Sequence, residues 1–392
     1  MTVSTAVKWA VSSMTGAPTL NGTAGSMITL LDAFLVNGFG TKAVDSATVT
    51  DGICRLAITG ASAAMDHSVI QLAGITGSGV ALNGLQRLKT AAAGYVEFPC
   101  DLPDGTLTGT ITFKIAPLGW EKVFSATNIA VYRSPDVAST RAYLRVDDSN
   151  ALNARVVGYE SMTGANDGLG PFPTNSQVAG GGYWPKANAT NATARAWSIA
   201  GDSKSFVLRM HTATTSIGVS GCVWGFGDIE SLKAGDVNAA ALFCATSALN
   251  AQATAVGAAV ETMGTAHAEG PYIMRSFTGV GGAVRLAHGT EAFNLSGVAG
   301  TGGSAAVPSY PNPADNSLIF TRKILSESGV SLRGRLRGVH FPAQACYQAF
   351  HEASPPIDGP DDGRKLLAIP CGAPAGTTSA GVLFVDITGP WE

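Results

Sequence analysis

Charge is what this sequence has least of. Asp, Glu, Lys and Arg together make up 14% of its 392 residues, against about 25% in an ordinary soluble protein. A chain so poor in charge, yet neither short nor membrane-embedded, is expected to hide surface in an assembly, because a free monomer relies on surface charge for solubility. The net charge of −3 argues against nucleic acid, whose backbone is held by a broad basic surface. The one basic cluster is Arg333, Arg335 and Arg337, with Arg322 and Lys323 upstream. It alternates with Gly334, Leu336 and Gly338, the spacing of a strand's outer face turned to solvent or to a neighbouring subunit.

Long apolar runs are missing too. No segment approaches about 18 uninterrupted apolar residues, so no membrane span is expected. The opening stretch MTVSTAVKWAVSSMTG lacks the basic start and continuous apolar region of a secretory signal. Synthesis in a cytosol is the expectation. The six cysteines, Cys54, Cys100, Cys222, Cys244, Cys346 and Cys371, are scattered singly with no C-x-x-C pair. They read as small buried hydrophobes rather than a disulfide framework or a zinc site.

Motifs for chemistry are absent as well. The six histidines include no H-E-x-x-H pair, the spacing that puts two ligands on one helical face. His267 and Glu269 would share one side of a strand, a pairing common by chance, and His211 and His340 read as strand-end residues on a solvated or interface side. Gly218-Val-Ser220-Gly221 is the nearest approach to a nucleophile elbow, but Cys222 stands where the last glycine belongs and no helix pattern follows. The glycines at 279–282 and 300–303 have no Lys-Ser/Thr after them and no βαβ frame, so they cradle no phosphate. Asp358, Asp361 and Asp362 depart from the spacing of a calcium loop and read as a solvated turn. Asn188 and Asn191 match the glycosylation sequon without the secretory context it needs. No catalytic, cofactor or metal residue is assigned, and the chain is read as non-enzymatic.

What is present is apolar and glycine-rich: 45% hydrophobic residues and 48 glycines. Met27, Ile28, Leu30, Leu31, Phe34 and Leu35 predict a helix over Ser26 to Val36, capped by Ser26 and stopped by Gly38. Beyond it the period changes to two. Leu107, Ile111, Phe113 and Ile115 share one side of a strand from Gly105 to Ile115, with threonines opposite. Strands are also expected at 140–147 and 153–160, paired across Asp148-Ser149-Asn150, and at 195–200 and 205–211, paired across Gly201-Asp202. More follow at 222–226, 239–244, 318–323, 334–341, 365–370 and 382–387. The fold class is therefore mainly β, antiparallel sandwich or barrel modules with a short N-terminal helix. Residues 1–44 form a tether and helix, 45–117 a small β-module, and 118–392 a larger β-rich domain with a Gly/Ser/Pro-rich loop or linker near 297–313. Gly164 to Thr193 reads as a long packed loop.

Five aromatics are candidates for an interface or glycan contact: Phe172, Tyr183 and Trp184 in or beside that loop, with Trp224 and Trp391. Trp and Tyr are enriched at binding hot spots, although plain core packing is the simpler reading of each tryptophan taken alone.

Several segments carry a resemblance as a set. They are LGWEKVF (Leu118–Phe124), NIAVYRS (Asn128–Ser134), YLRVDD (Tyr143–Asp148), ARVVGYE (Ala154–Glu160), GPFP (Gly170–Pro173), WSIAGD (Trp197–Asp202), FGDIESLKAGD (Phe226–Asp236) and DITGPW (Asp386–Trp391). Together they resemble tail-region virion proteins of tailed bacteriophages and prophages of Gram-negative bacteria, over most of the chain. The resemblance implies a structural subunit near the baseplate or tail tip, made in the host cytoplasm and assembled in the virion tail. Its partners would be copies of itself, other phage tail proteins and, in a host-attachment role, a host surface glycan. The group supplies no catalytic residues.

Overall fold

A computed structural model describes residues 4–215, 221–248, 270–290, 309–327, 331–344, 346, 348–351, 354–372 and 380–391. The fold is mainly β: three antiparallel sheets and one short early helix.

The helix runs as an α-helix over Ser26–Leu31 and continues in wider π turns over Asp32–Asn37. Its apolar stripe is buried as the spacing predicts, but its caps differ. Ser26 is not the cap: its hydroxyl donates to the Asn21 carbonyl at 2.8 Å. The free amides of Met27 and Ile28 are met instead by the Asp148 carboxylate, at 2.7 and 3.4 Å. At the other end the Phe34 and Leu35 carbonyls accept from the amides of Leu118, Gly119 and Trp120 at 2.8–3.0 Å. Each helix end leaves backbone groups without intrahelical partners, and here both ends are satisfied by distant segments.

The small sheet has eight strands, drawn from Phe39–Ala43 through Gly105–Ile115, and they pair only with one another. Val49, Leu56, Val96, Phe98, Ile111 and Phe113 belong to its own apolar cluster. The middle sheet has six strands: Glu121–Ala126, Ile129–Arg133, Tyr143–Asp147, Asn153–Met162, Gly168–Phe172 and Gly182–Pro185. The last two fall inside the stretch 164–193. That stretch is therefore not one long loop, because both pieces find free backbone on Asn153–Met162.

The large sheet has thirteen strands. It begins with Lys8–Val11, in the segment expected to be a tether, which pairs with Trp197–Gly201. It then passes through Ser205–Met210, Cys222–Asp228, Ala240–Cys244, Gly270–Ile273, Val284–Thr290, Phe320–Glu327, Ser331–Pro342, Ala380–Asp386, Lys365–Gly372 and Ile357–Asp358, with Glu230–Ser231 added beside Ser331–Pro342. The sheet curls back on itself. Arg209 Nε donates to the Pro370 carbonyl at 3.0 Å, and Arg337 reaches Asp202 at 2.6 Å. Strands such as Ser205–Met210 and Ala240–Cys244 are consequently buried at every position. One core joins the helix, the middle sheet and this sheet, with Trp120, Trp184, Phe206 and Phe226 in edge contact at 5.5–6.2 Å. All six cysteines are unbridged, and burial pushes the Cys54 and Cys346 thiols up to about 12.

Candidate functional site

The five aromatic candidates do not form an exposed platform. Phe172, Trp184 and Trp224 are 0% exposed and Trp391 6%. Phe172, Trp184 and Trp224 face the interior because their strands are covered on that side, and Trp391, beyond the last strand, packs on Gly338. Two of the indoles spend their N–H internally: Trp184 on the Phe243 carbonyl and Trp391 on that of Asp386, both at 2.8 Å. Tyr183 is half-buried, and the Arg155 guanidinium lies 3.7 Å over its ring.

The basic cluster is a second correction. Arg333 and Arg337 are buried rather than on an outer face. Arg333 pairs with Asp236 and, at 2.9 Å, with Glu327. Arg337 makes a bidentate pair with Asp202 and also donates to Ser205 Oγ at 3.0 Å. Arg335, paired with Glu230 at 3.1 Å, and Arg322 stay partly accessible. Two bulges in Ser331–Pro342 break the alternation, so Arg333 and Arg337 turn inward while Arg335 stays accessible. His211 is likewise fully buried, and burial lowers it to about 4. The sequon residues Asn188 and Asn191 serve as acceptors for Arg195. His267, Glu269, Gly218-Val-Ser220 and most of the expected linker, 297–308, lie outside the described residues.

Two surface features stand out among the described residues. The first is apolar. Leu232, Val237, Phe277, Val280 and Leu332 are five of the ten exposed large hydrophobic side chains among the described residues, each 48–74% exposed. The segments that carry them lie side by side. The Leu232 amide donates to the Arg333 carbonyl at 3.1 Å, and Lys233 Nζ donates to the Phe277 carbonyl at 2.7 Å. The ground beneath them is tied together by hydrogen bonds and ion pairs. Glu327 accepts from Ser276 Oγ and the Phe277 amide, both at 2.8 Å, and pairs with Arg333. Asp236 accepts from Ser231 Oγ at 2.6 Å. A single exposed hydrophobe needs no explanation, but a contiguous group marks an interaction surface.

The second is a cleft of about 290 Å³ over the strands Phe320–Glu327, Ser331–Pro342 and Ala380–Asp386. Arg322 lies opposite His340, and His340 opposite Phe384, so all three project from one face. Pro360, Asp361, Arg364, Pro390 and Trp391 form the walls. The Trp391 indole is seated because position 338 is glycine: a Cβ there would come within 2.1 Å of the ring. Arg364 pairs with Asp386 at 3.1 Å and Arg322 with Glu230 at 2.5 Å. Burial, helped by Arg322, holds the His340 imidazole below its ordinary value, so it is neutral at pH 7. Sequence reasoning passed over this cleft, since its groups come from four separate segments.

Among the described residues no group of three or more His, Cys, Asp or Glu is placed to hold a metal, and no helix is long and apolar enough to cross a membrane. No protein-family model matches the sequence, and no curated protein is similar to it at a significant level.

Proposed function

We propose that this chain is a non-enzymatic structural subunit of a phage or prophage tail, near the baseplate or tip, assembling through protein–protein contacts. The observation that carries the assembly part is the cluster of Leu232, Val237, Phe277, Val280 and Leu332, exposed together over a paired Arg333–Glu327–Asp236 base. A patch held in shape before binding loses little side-chain and loop entropy on association. The 14% charge content points the same way. The tail placement itself rests on the sequence resemblance.

The test is the mass of the purified protein by light scattering, with electron microscopy of the same sample. Rings, trimers or incorporation into tails support the reading. Leu232→Ser with Phe277→Ser is expected to return the assembly to single chains while moving stability by no more than about 0.5 kcal/mol, the usual range for surface changes. A wild-type protein that stays monomeric and is not taken into tails would sink it. A glycan platform at Tyr183 and Trp184 has little support, given the burial of Trp184.

A further inference from the structure

We infer that the cleft around His340 binds a single neutral sugar unit. This goes beyond the assembly reading and uses other residues. Three properties of the cleft narrow the ligand class.

Size comes first. About 290 Å³ lies at the lower end of small-molecule sites, roughly 300–1,000 Å³, and suits one pyranose ring.

Charge comes second. Arg322 and Arg364 are balanced by Asp361 and Asp386 in the lining, and both guanidiniums are already engaged, with Glu230 and Asp386. A phosphate or isolated carboxylate gains no net attraction and must compete with Asp386 for Arg364. That disfavours an anion.

The third property is the mixture of surfaces. Phe320, Pro360, Pro390 and Trp391 supply apolar walls. The Trp391 N–H is spent on the Asp386 carbonyl, so the indole offers the cleft apolar surface rather than a donor. Beside these stand two groups with capacity to spare. The neutral His340 imidazole carries one donor and one acceptor, and no described residue hydrogen-bonds its ring. Asp361 is exposed and has no ion-pair partner among the described residues. A pyranose matches that combination: its C–H face suits the rings, and its hydroxyls both donate and accept. A wholly apolar ligand would leave the imidazole and carboxylate desolvated without compensation, which is costly.

Calorimetric titration of the full chain with the methyl glycosides of glucose, galactose and mannose tests this, with glucuronate and inorganic phosphate as charged probes. Saturable binding of at least one methyl glycoside is expected, weakened tenfold or more in Asp361→Asn and in His340→Ala. Asp361 sits on an exposed turn, so its variant keeps the fold. Three results would overturn the inference: no saturable binding of any of the three glycosides, tighter binding of glucuronate or phosphate, or glycoside binding unchanged in both variants. Light scattering on the same samples reports assembly separately, so failure of one reading is not failure of the other.

Discussion

The small sheet and the large curled sheet are stabilised in different ways. Inside the small sheet the core is apolar side chains alone, from Val49 and Leu56 to Phe98 and Phe113, and Arg87 is the one charged residue of its strands that is buried. Inside the large sheet Lys8, Arg209, Lys323, Glu327, Arg333, Arg337 and Asp386 are all buried. The first needs only area removed from water. The second needs specific partners, because an unpaired buried charge costs several kcal/mol. Where the two meet, Arg87 changes role. It reaches out of the small sheet to donate to the carbonyls of Ser4, Val7, His67, Ile387 and Thr388 at 2.5–3.2 Å.

The helix junction is the sharpest case of the second kind. Asp148 and Lys186 pair with both side chains fully buried, and Lys186 also donates to the Thr23 carbonyl at 2.6 Å. Burial pushes the Asp148 carboxyl up and the Lys186 ammonium down, against the attraction between them. Two truncations set the regions side by side. Phe98→Ala in the small sheet is expected to cost about 3–5 kcal/mol through the cavity it leaves. Asp148→Ala should cost about 3–5 kcal/mol by stranding the Lys186 charge. Part of the second loss is repairable: adding Lys186→Met to Asp148→Leu should restore the share due to the stranded charge in chemical denaturation, leaving the share due to the uncapped Met27 and Ile28 amides. A double variant as unstable as Asp148→Ala would break the comparison.

Acid separates the regions next. The buried His211 has a folded value of about 4 against an ordinary 6.5. The unfolded chain therefore takes up the proton first. Stability is fully present above pH 6.5 and is lost as pH falls toward 4, on the order of 3 kcal/mol for this one group. Melting temperatures across that range should fall for the wild type and flatten in His211→Gln. An equally steep fall in the variant would assign the acid response elsewhere.

The smallest expected effect sharpens the boundary. Arg87→Leu removes charged hydrogen bonds to five carbonyls, for about 2 kcal/mol. Calorimetry should then show the small sheet melting apart from the rest. A single unchanged transition would mean that the apolar contacts between them suffice.

Legibility in the sequence follows the same division. The strand Gly105–Ile115 and the helix stripe at Met27, Leu31 and Phe34 could be read directly, because one exposed and one buried face imprint a period on neighbouring residues. The hairpins across 148–150 and 201–202 were readable for a related reason: short connections keep partners close in the chain. Ser26 as a cap was a sound local expectation that a distant carboxylate, Asp148, displaced. Strict alternation puts Arg333, Arg335 and Arg337 on one outward face, and bulges that no local period records turn Arg333 and Arg337 inward.

By itself, then, the sequence determined the class of fold, mainly β and antiparallel with one early helix, since alternation and turn residues act over a few positions. Tertiary structure alone decided which polar faces were covered. Curling the large sheet brought Arg337 to Asp202, 135 residues apart, and strand pairing within the middle sheet brought Lys186 to Asp148, 38 apart. It likewise gathered His340, Asp361, Arg364 and Trp391 into one cleft. Charges pair by proximity in space, and no local period records that proximity.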